Sequence, residues 1–274
     1  MSNKPLITSL FPRAVAATLL LAASIASAEP FYWADWETTS AVGGFTATGT
    51  INTSGTSVGV TYFNPNGIAF AQINGGTDYW AHGTFGSGGR DDSISPYTSS
   101  LVDNAPTGSD ILALRYAGNQ TLTFSEAIAN PIFSFVSLNL NGYAFDQDFE
   151  ILSAGGADGN ACGYWGCGTS SKTVVDLGNG NYEYWLVGTG EPHGTLRFSG
   201  TFDELNWRSL SNEYWNGFTV GIQGSAAEVI EDCSTNPNMQ GCENIPSVPE
   251  PGIALLLLTG ILGQTLLRRP ALRS

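Results

Sequence analysis

Between residues 31 and 224, the apolar residues of this 274-residue chain recur with period two, in short runs interrupted by Gly, Asn or Pro. A strand turns successive side chains to opposite faces, so this alternation suits a sheet with one covered face. A helix would need spacings of three and four. Twelve runs qualify: 45–52, 57–63, 67–73, 111–117, 120–124, 132–140, 149–153, 173–177, 182–187, 194–202, 204–208 and 215–223. They predict an all-β fold, an antiparallel two-sheet sandwich of jelly-roll type. Leu196, Phe198 and Phe202 fall on one face of their run, as do Phe218, Val220 and Ile222 of theirs. Residues 132–140 are apolar on both sides, with Phe133 and Phe135 on one and Ile132, Val136, Leu138 and Leu140 on the other. That predicts a central strand, and Ile111 to Leu114 is a similar case. No Pro- or Ser-rich linker and no fixed repeat divides the segment, so residues 29–225 read as one domain.

Both ends are of another kind. Residues 1–28 have the layout of a secretory signal peptide. Lys4 and Arg13 supply positive charge, 14–25 is apolar, and Ala26-Ser27-Ala28 is an A-x-A cleavage site. Passage through the Sec translocon and cleavage by signal peptidase would leave Glu29 first; an uncleaved signal anchor is the alternative. At the other end, Val248-Pro249-Glu250-Pro251 precedes an apolar stretch, 252–267, and then Arg268 and Arg269. Neither proline can continue a helix or a strand, because each lacks a donor and has a fixed φ. As a helix the apolar stretch would reach about 24 Å, somewhat short of a bilayer core of about 30 Å. Arg268, Arg269 and Arg273 are stop-transfer charges and predict a cytoplasmic C-terminus for a transmembrane helix over 252–267. The alternative is a buried C-terminal helix of a soluble domain. In motif, order and position, residues 248–270 resemble the PEP-CTERM sorting signal of Gram-negative bacteria. The resemblance implies export, transient anchoring in the inner membrane and processing by an exosortase. It also implies a final place at the cell surface or in the extracellular matrix of a bacterium that makes exopolysaccharide.

Five of the ten basic residues lie in these end segments, whereas all 24 acidic residues lie between Glu29 and Glu250, which leaves the exported part at −19. Such a surface repels nucleic acid and favours solubility or divalent cations. Four stretches of the middle also resemble a recurrent ectodomain of PEP-CTERM proteins. They are Phe31-Tyr-Trp-Ala-Asp-Trp36, Ala71-Gln-Ile-Asn-Gly-Gly-Thr-Asp-Tyr-Trp80, Gly194-Thr-Leu-Arg-Phe-Ser-Gly-Thr-Phe202 and Glu213-Tyr-Trp-Asn-Gly-Phe-Thr-Val-Gly221. This second resemblance implies the architecture and no particular activity.

The cysteines are Cys162, Cys167, Cys233 and Cys242. In an exported protein they are expected to be oxidised. Of the three possible pairings, the local one, Cys162–Cys167 with Cys233–Cys242, brackets turn residues in each case. Zinc is the alternative, but neither pair has the two-residue gap of a zinc knuckle and His is scarce. The second pair falls in a polar stretch, 226–247, that reads as a stalk. Asp91 and Asp92, near Asp103 and Asp110, are candidate calcium ligands, as are Asp146 and Asp148 with Glu150. Calcium takes six to eight hard oxygens, and solvated acidic loops are the other reading. His82 and His193 belong to no catalytic motif, no G-x-S-x-G occurs, and no carboxylate pair stands out. The expectation is therefore a non-enzymatic protein. Seven tryptophans, all in the exported part, point to carbohydrate. Sugar C–H faces stack on aromatic rings while Asn, Asp and Gln bind hydroxyls. Trp80 and Trp165, flanked by Gly or polar loop residues, are the candidate glycan contacts. A purely structural matrix protein and a secreted glycan hydrolase are the competing readings.

Overall fold

The computed structural model of the chain describes residues 30–239 together with 241, 242 and 245. The cleavage residues Ala26 and Ala28 lie outside the described residues, as do the 252–267 span and the motif residues Val248, Pro249, Glu250, Pro251, Arg268 and Arg269.

The first strands are Tyr32–Trp33 (β1), Asp35–Ser40 (β2), Phe45–Asn52 (β3), Ser57–Asn64 (β4) and Phe70–Gln72 (β5). After a long loop come Ile111–Leu114 (β6), Gly118–Ala129 (β7), Ile132–Val136 (β8), Gly142–Phe145 (β9) and Glu150–Ala154 (β10). The last are Gly168–Gly178 (β11), Asn181–Gly190 (β12), Gly194–Arg197 (β13), Thr201–Ser209 (β14), Asn216–Ile222 (β15) and Gly224–Ser225 (β16), followed by a helix, Ala226–Thr235 (α1). All pairings are antiparallel and form two sheets. The seven-stranded sheet runs β10-β13-β8-β15-β6-β5, with β1 also on β15. The nine-stranded sheet runs β11-β12-β9-β14-β7-β4-β3-β2, with β16 also on β7. The fold is thus an all-β sandwich.

The predicted alternations meet between the sheets. Phe133, Phe135, Leu196, Phe198, Phe218, Val220 and Ile222 of one sheet pack on Trp36, Ile51, Tyr62, Leu122, Tyr143, Phe145 and Trp207 of the other. Phe133 and Phe218 stack with centroids 4.8 Å apart, and Trp207 meets Phe218 edge-on at 5.2 Å. Every residue of β8 and of β15 is buried. The loop between β5 and β6 covers their second face. Trp80, Tyr97 and Ala105 close over Ile111 and Val136, and Val102 joins Phe31 and Trp33 over Ile132. Two-sided burial is the physical meaning of the doubly apolar run.

Three local readings differ from the structure. The 132–140 run stops at Val136, because Ser137 turns left-handed at φ 57°, and Leu140 (φ 51°) is 77% exposed instead of sharing the core face. The 194–202 run divides between the sheets, with β13 in one and β14 in the other; Gly200, at φ 120°, makes the turn. The stretch read as a stalk opens with α1. Ser225 caps α1 by accepting from the Glu228 amide while the Glu228 carboxylate accepts from the Ser225 amide, a reciprocal capping box. Glu228 also accepts from the Thr53 hydroxyl and the Gly55 amide in the β3–β4 turn, and Val229 is buried. The helix is therefore bolted to the sandwich. Cys233 is bonded to Cys242 and Cys162 to Cys167, with Cα–Cα distances of 5.5 and 4.8 Å. No helix of the described residues is long and apolar enough to cross a membrane.

Candidate functional site

Strand direction sorts the loops into two poles. β8 ends, β15 begins, β14 ends, β12 ends and β13 begins at one pole, so segments 137–141, 191–193 and 210–215 gather there. α1 leaves from the other pole, where β16 pairs with the far end of β7. The seven residues of β15 separate the poles by about 20 Å.

The gathered loops line a groove of about 460 Å³ formed by Ser137, Asn139, Trp165, Glu191, Glu213, Tyr214 and Trp215. Trp165 is presented by the short loop that the Cys162–Cys167 bond closes. The Gly83 amide donates to the Cys162 carbonyl and the Phe85 amide to the Tyr164 carbonyl, both at 2.7 Å, which lashes this loop to its neighbour. Buried His193 lies beneath it; a Cβ at Gly163 would stand 2.2 Å from the imidazole, so only glycine permits that approach. Burial pushes the His193 pKa down to about 3 and keeps the ring neutral. Trp165 meets Tyr164 at 4.9 Å, Phe85 at 5.5 Å and Trp215 at 6.0 Å, all edge to face. These rings and Tyr79, at 6.4 Å, hold the indole in place, yet it keeps 36% of its surface open, and Tyr214 beside the groove keeps 80%.

The polar floor is made by two glutamates and an asparagine. The Asn139 amide donates to Glu213 Oε1 (3.1 Å), and its side-chain Nδ2 donates to Glu191 Oε1 (2.6 Å). One asparagine bridges the carboxylates and so holds them within about 10 Å of each other. Glu213 Oε2 accepts from Asn216 Nδ2 (2.7 Å) and Asn141 Nδ2 (3.2 Å), and Ser137 Oγ donates to Glu191. Burial pushes the Glu213 pKa up to about 7, against the hydrogen bonds from Asn216, Asn141 and Asn139, and the Glu191 charge adds to the rise. Three non-glycine residues with left-handed φ, Phe85, Ser137 and Leu140, belong to the segments around this groove. Backbone strain of this kind persists where the surroundings over-determine it, as binding sites do.

Trp165 therefore lies where a ligand could reach it, and Trp80 does not. Trp80 is 1% exposed, donates from Nε1 to the Asp110 carbonyl (3.0 Å) and packs on Tyr97, so it has no free face for a sugar. Trp33, Trp36 and Trp207 are core residues as well. Glu191, Glu213, Tyr214 and Asn139 were not legible as site residues, and Trp215 also lines the groove. The acidic pairs do not assemble into a metal site. Asp91 accepts from the amide and hydroxyl of Ser93, and Asp92 from the Ala105 amide. Asp148 pairs with Lys172, and burial raises the pKa of Asp146 beside Asn206. Among the described residues, no three His, Cys, Asp or Glu side chains converge as a metal would require. All four cysteines are disulfide-bonded, which removes the zinc alternative.

A second, shallower hollow of about 350 Å³ lies on the outer face of the large sheet, lined by Asn119, Thr121, Asp146, Glu183, Asn206 and Arg208. There Arg208 pairs with Glu183 at 2.7 Å and lies over the Trp185 ring. Thr121 donates to Asn206 Oδ1 at 2.8 Å, and the ring that lines this hollow, Trp207, is buried. Compared with protein-family models, with curated proteins and with solved structures, the chain matches none.

Proposed function

We propose that this is an exported PEP-CTERM protein whose jelly-roll-like sandwich binds carbohydrate, without enzymatic activity, at the groove around Trp165. In this reading the Sec translocon and signal peptidase deliver the chain. The 252–267 helix anchors it in the inner membrane, and an exosortase processes it for the cell surface or the exopolysaccharide matrix. The observation that carries the binding half is the presentation of Trp165. An indole that keeps 36% of its surface open sits on a disulfide-closed loop, braced by other rings and set beside Asn139, Glu191 and Glu213. A concave site with an apolar platform and a few fixed polar groups is the usual form of a small-molecule or sugar site. The position of the groove is compatible with attachment beyond α1. It opens at the pole opposite α1, after which the chain runs on to its sorting motif, so it would face away from the membrane.

Titration with a panel of neutral, amino and acidic oligosaccharides, and with exopolysaccharide from the native host, tests the binding half through tryptophan fluorescence and calorimetry. Trp165→Ala is expected to weaken binding at least about ten-fold, while Trp185→Ala on the outer sheet face leaves it unchanged. Equal affinity of W165A and wild type would move the site elsewhere. The intact mass of the mature protein tests the sorting half: a chain from Glu29 to the region of Pro249–Pro251, formed only when exosortase is present, is expected. A mass that retains Arg268 to Ser274 in both strains would remove the sorting reading.

The bridged carboxylates favour a second reading, a glycan hydrolase, because such enzymes pair carboxyl groups over about 5–10 Å. Against it, both oxygens of Glu213 accept from protein N–H groups, and both oxygens of Glu191 accept from Ser137 and Asn139. Each carboxylate thus braces a loop. New reducing ends from a bound glycan, lost in Glu213→Gln, would establish hydrolysis instead.

A further inference from the structure

We infer that the groove selects glycans carrying free amino groups, that is, hexosamine polymers with part of their nitrogen unacylated. This inference rests on the reading of the groove as a carbohydrate site and names the class of sugar it takes.

The argument begins with where the charges are spent. The exported part has five basic residues, Arg90, Arg115, Lys172, Arg197 and Arg208. Arg90 pairs with Asp78, Lys172 with Asp148, Arg197 with Glu150 and Arg208 with Glu183. Arg115 lies over the Tyr214 ring, 5.6 Å from its centroid. None of these five lines the groove, although Arg115 borders it through Tyr214, and the imidazole beneath the Trp165 loop, His193, is buried and neutral. Glu191 therefore receives only neutral donors, Ser137 Oγ and Asn139 Nδ2. Glu213, across Asn139, likewise has only amide donors. Among the described residues, two carboxyl groups are thus held in a partly desolvated groove with no ion pair to a Lys or Arg.

A ligand can supply that charge. An ammonium group lying over the open face of an indole gains from the ring quadrupole, for which tryptophan is the best partner. The same ammonium donates charge-assisted hydrogen bonds to a carboxylate, which are roughly twice as strong as neutral ones. Trp165 and Glu191 share one groove, and Glu191, which accepts one bond from the chain at each oxygen, keeps lone-pair sites for an ammonium beside the indole. A uronate or a sulfated sugar would bring like charge to the glutamates, a costly juxtaposition. An N-acetylated sugar keeps the stacking surface and loses the cation. The order of affinity follows: free amine above N-acetyl and neutral sugar, with uronate last.

Calorimetry of the intact exported domain with glucosamine tetramer, N-acetylglucosamine tetramer, glucose tetramer and a uronate tetramer tests the order. At neutral pH and low salt the free amine is expected to bind at least about ten-fold tighter than its N-acetylated counterpart. Because the chain is acidic throughout, an exposed charge must serve as control. Glu191→Gln is expected to narrow the preference at least about three-fold, whereas Glu231→Gln, on α1 at the opposite pole, leaves it as in wild type. Thermal melts confirm that both variants are folded. Equal or reversed affinity for the free amine would overturn the inference and leave the groove a general sugar site. Equal narrowing by E231Q would overturn it too, because attraction to the whole acidic surface would then explain the preference. Binding of none of the four sugars would sink the carbohydrate reading itself.

Discussion

At the residue scale, Glu213 has the most to report. It stitches segment 137–141 to the start of β15 through Asn139, Asn141 and Asn216. Burial raises its pKa from 4.5 to about 7 in the folded chain. The folded state thus holds this proton more tightly than the unfolded chain does. The resulting stability is full below about 4.5 and is lost as pH rises through about 7. His193 works in the opposite sense: its depressed pKa gives stability above the unfolded value of 6.5, which is lost as pH falls towards about 3. The two contributions separate by mutation. Melting temperature should fall from about pH 5 to about pH 8 by more in wild type than in Glu213→Gln. Parallel curves for the two proteins would show that Glu213 titrates as in the unfolded chain. Neither role could be read from the local sequence, because Glu213 follows Asn212 in an ordinary polar turn and its burial comes from segments some seventy residues away.

At the scale of elements, two short devices do work out of proportion to their length. The Cys162–Cys167 bond closes a loop that carries Tyr164 and Trp165, and closure of so small a ring stabilises by only about 2 kcal/mol. Replacing both cysteines with serine should therefore lower sugar affinity more than it lowers the melting temperature; a large stability loss with intact affinity would contradict this. At the other pole, α1 depends on its cap. Ser225→Ala should cost about 1 kcal/mol in urea unfolding. Glu228→Ala should cost more, because that carboxylate also holds the Thr53 hydroxyl and the Gly55 amide. The capping box Ser225-Ala-Ala-Glu228 was present in the sequence, but the acidic, polar surroundings that read as a stalk masked it. The Leu140 error has a similar origin: an apolar residue in phase with a strand is exposed once the backbone turns at Ser137.

For the whole molecule, charge and polarity of direction matter most. Residues 29–250 carry a formal charge of −19 with five cations and repel themselves, and four of those cations are tied up in ion pairs. Salt screens such repulsion over about 10 Å at 0.1 M. The melting temperature should therefore rise as NaCl increases from about 0.01 M to about 0.15 M. A flat or falling curve would mean that the ion pairs outweigh the general repulsion. The two-pole layout matters equally. Strand polarity alone puts the groove at one end of β15 and α1 at the other.

The sequence by itself determined the class of fold and most of the core. Alternation at period two is a property of neighbouring residues, and Phe133, Phe135, Leu196, Phe198, Phe218 and Val220 all lie where that pattern puts them. It also marked the disulfide partners, because a short spacing across turn residues needs no distant information. Only the tertiary structure decided which tryptophan faces outward. Trp80 and Trp165 have similar polar, glycine-rich surroundings in the chain, yet the β5–β6 loop folds Trp80 under itself while the disulfide loop holds Trp165 open. The groove likewise joins Ser137, Asn139, Trp165, Glu191, Glu213 and Trp215 from segments remote from one another. Their meeting depends on strand order and on the pole each strand ends at, and those are set by the pairing of whole sheets, which no local pattern encodes.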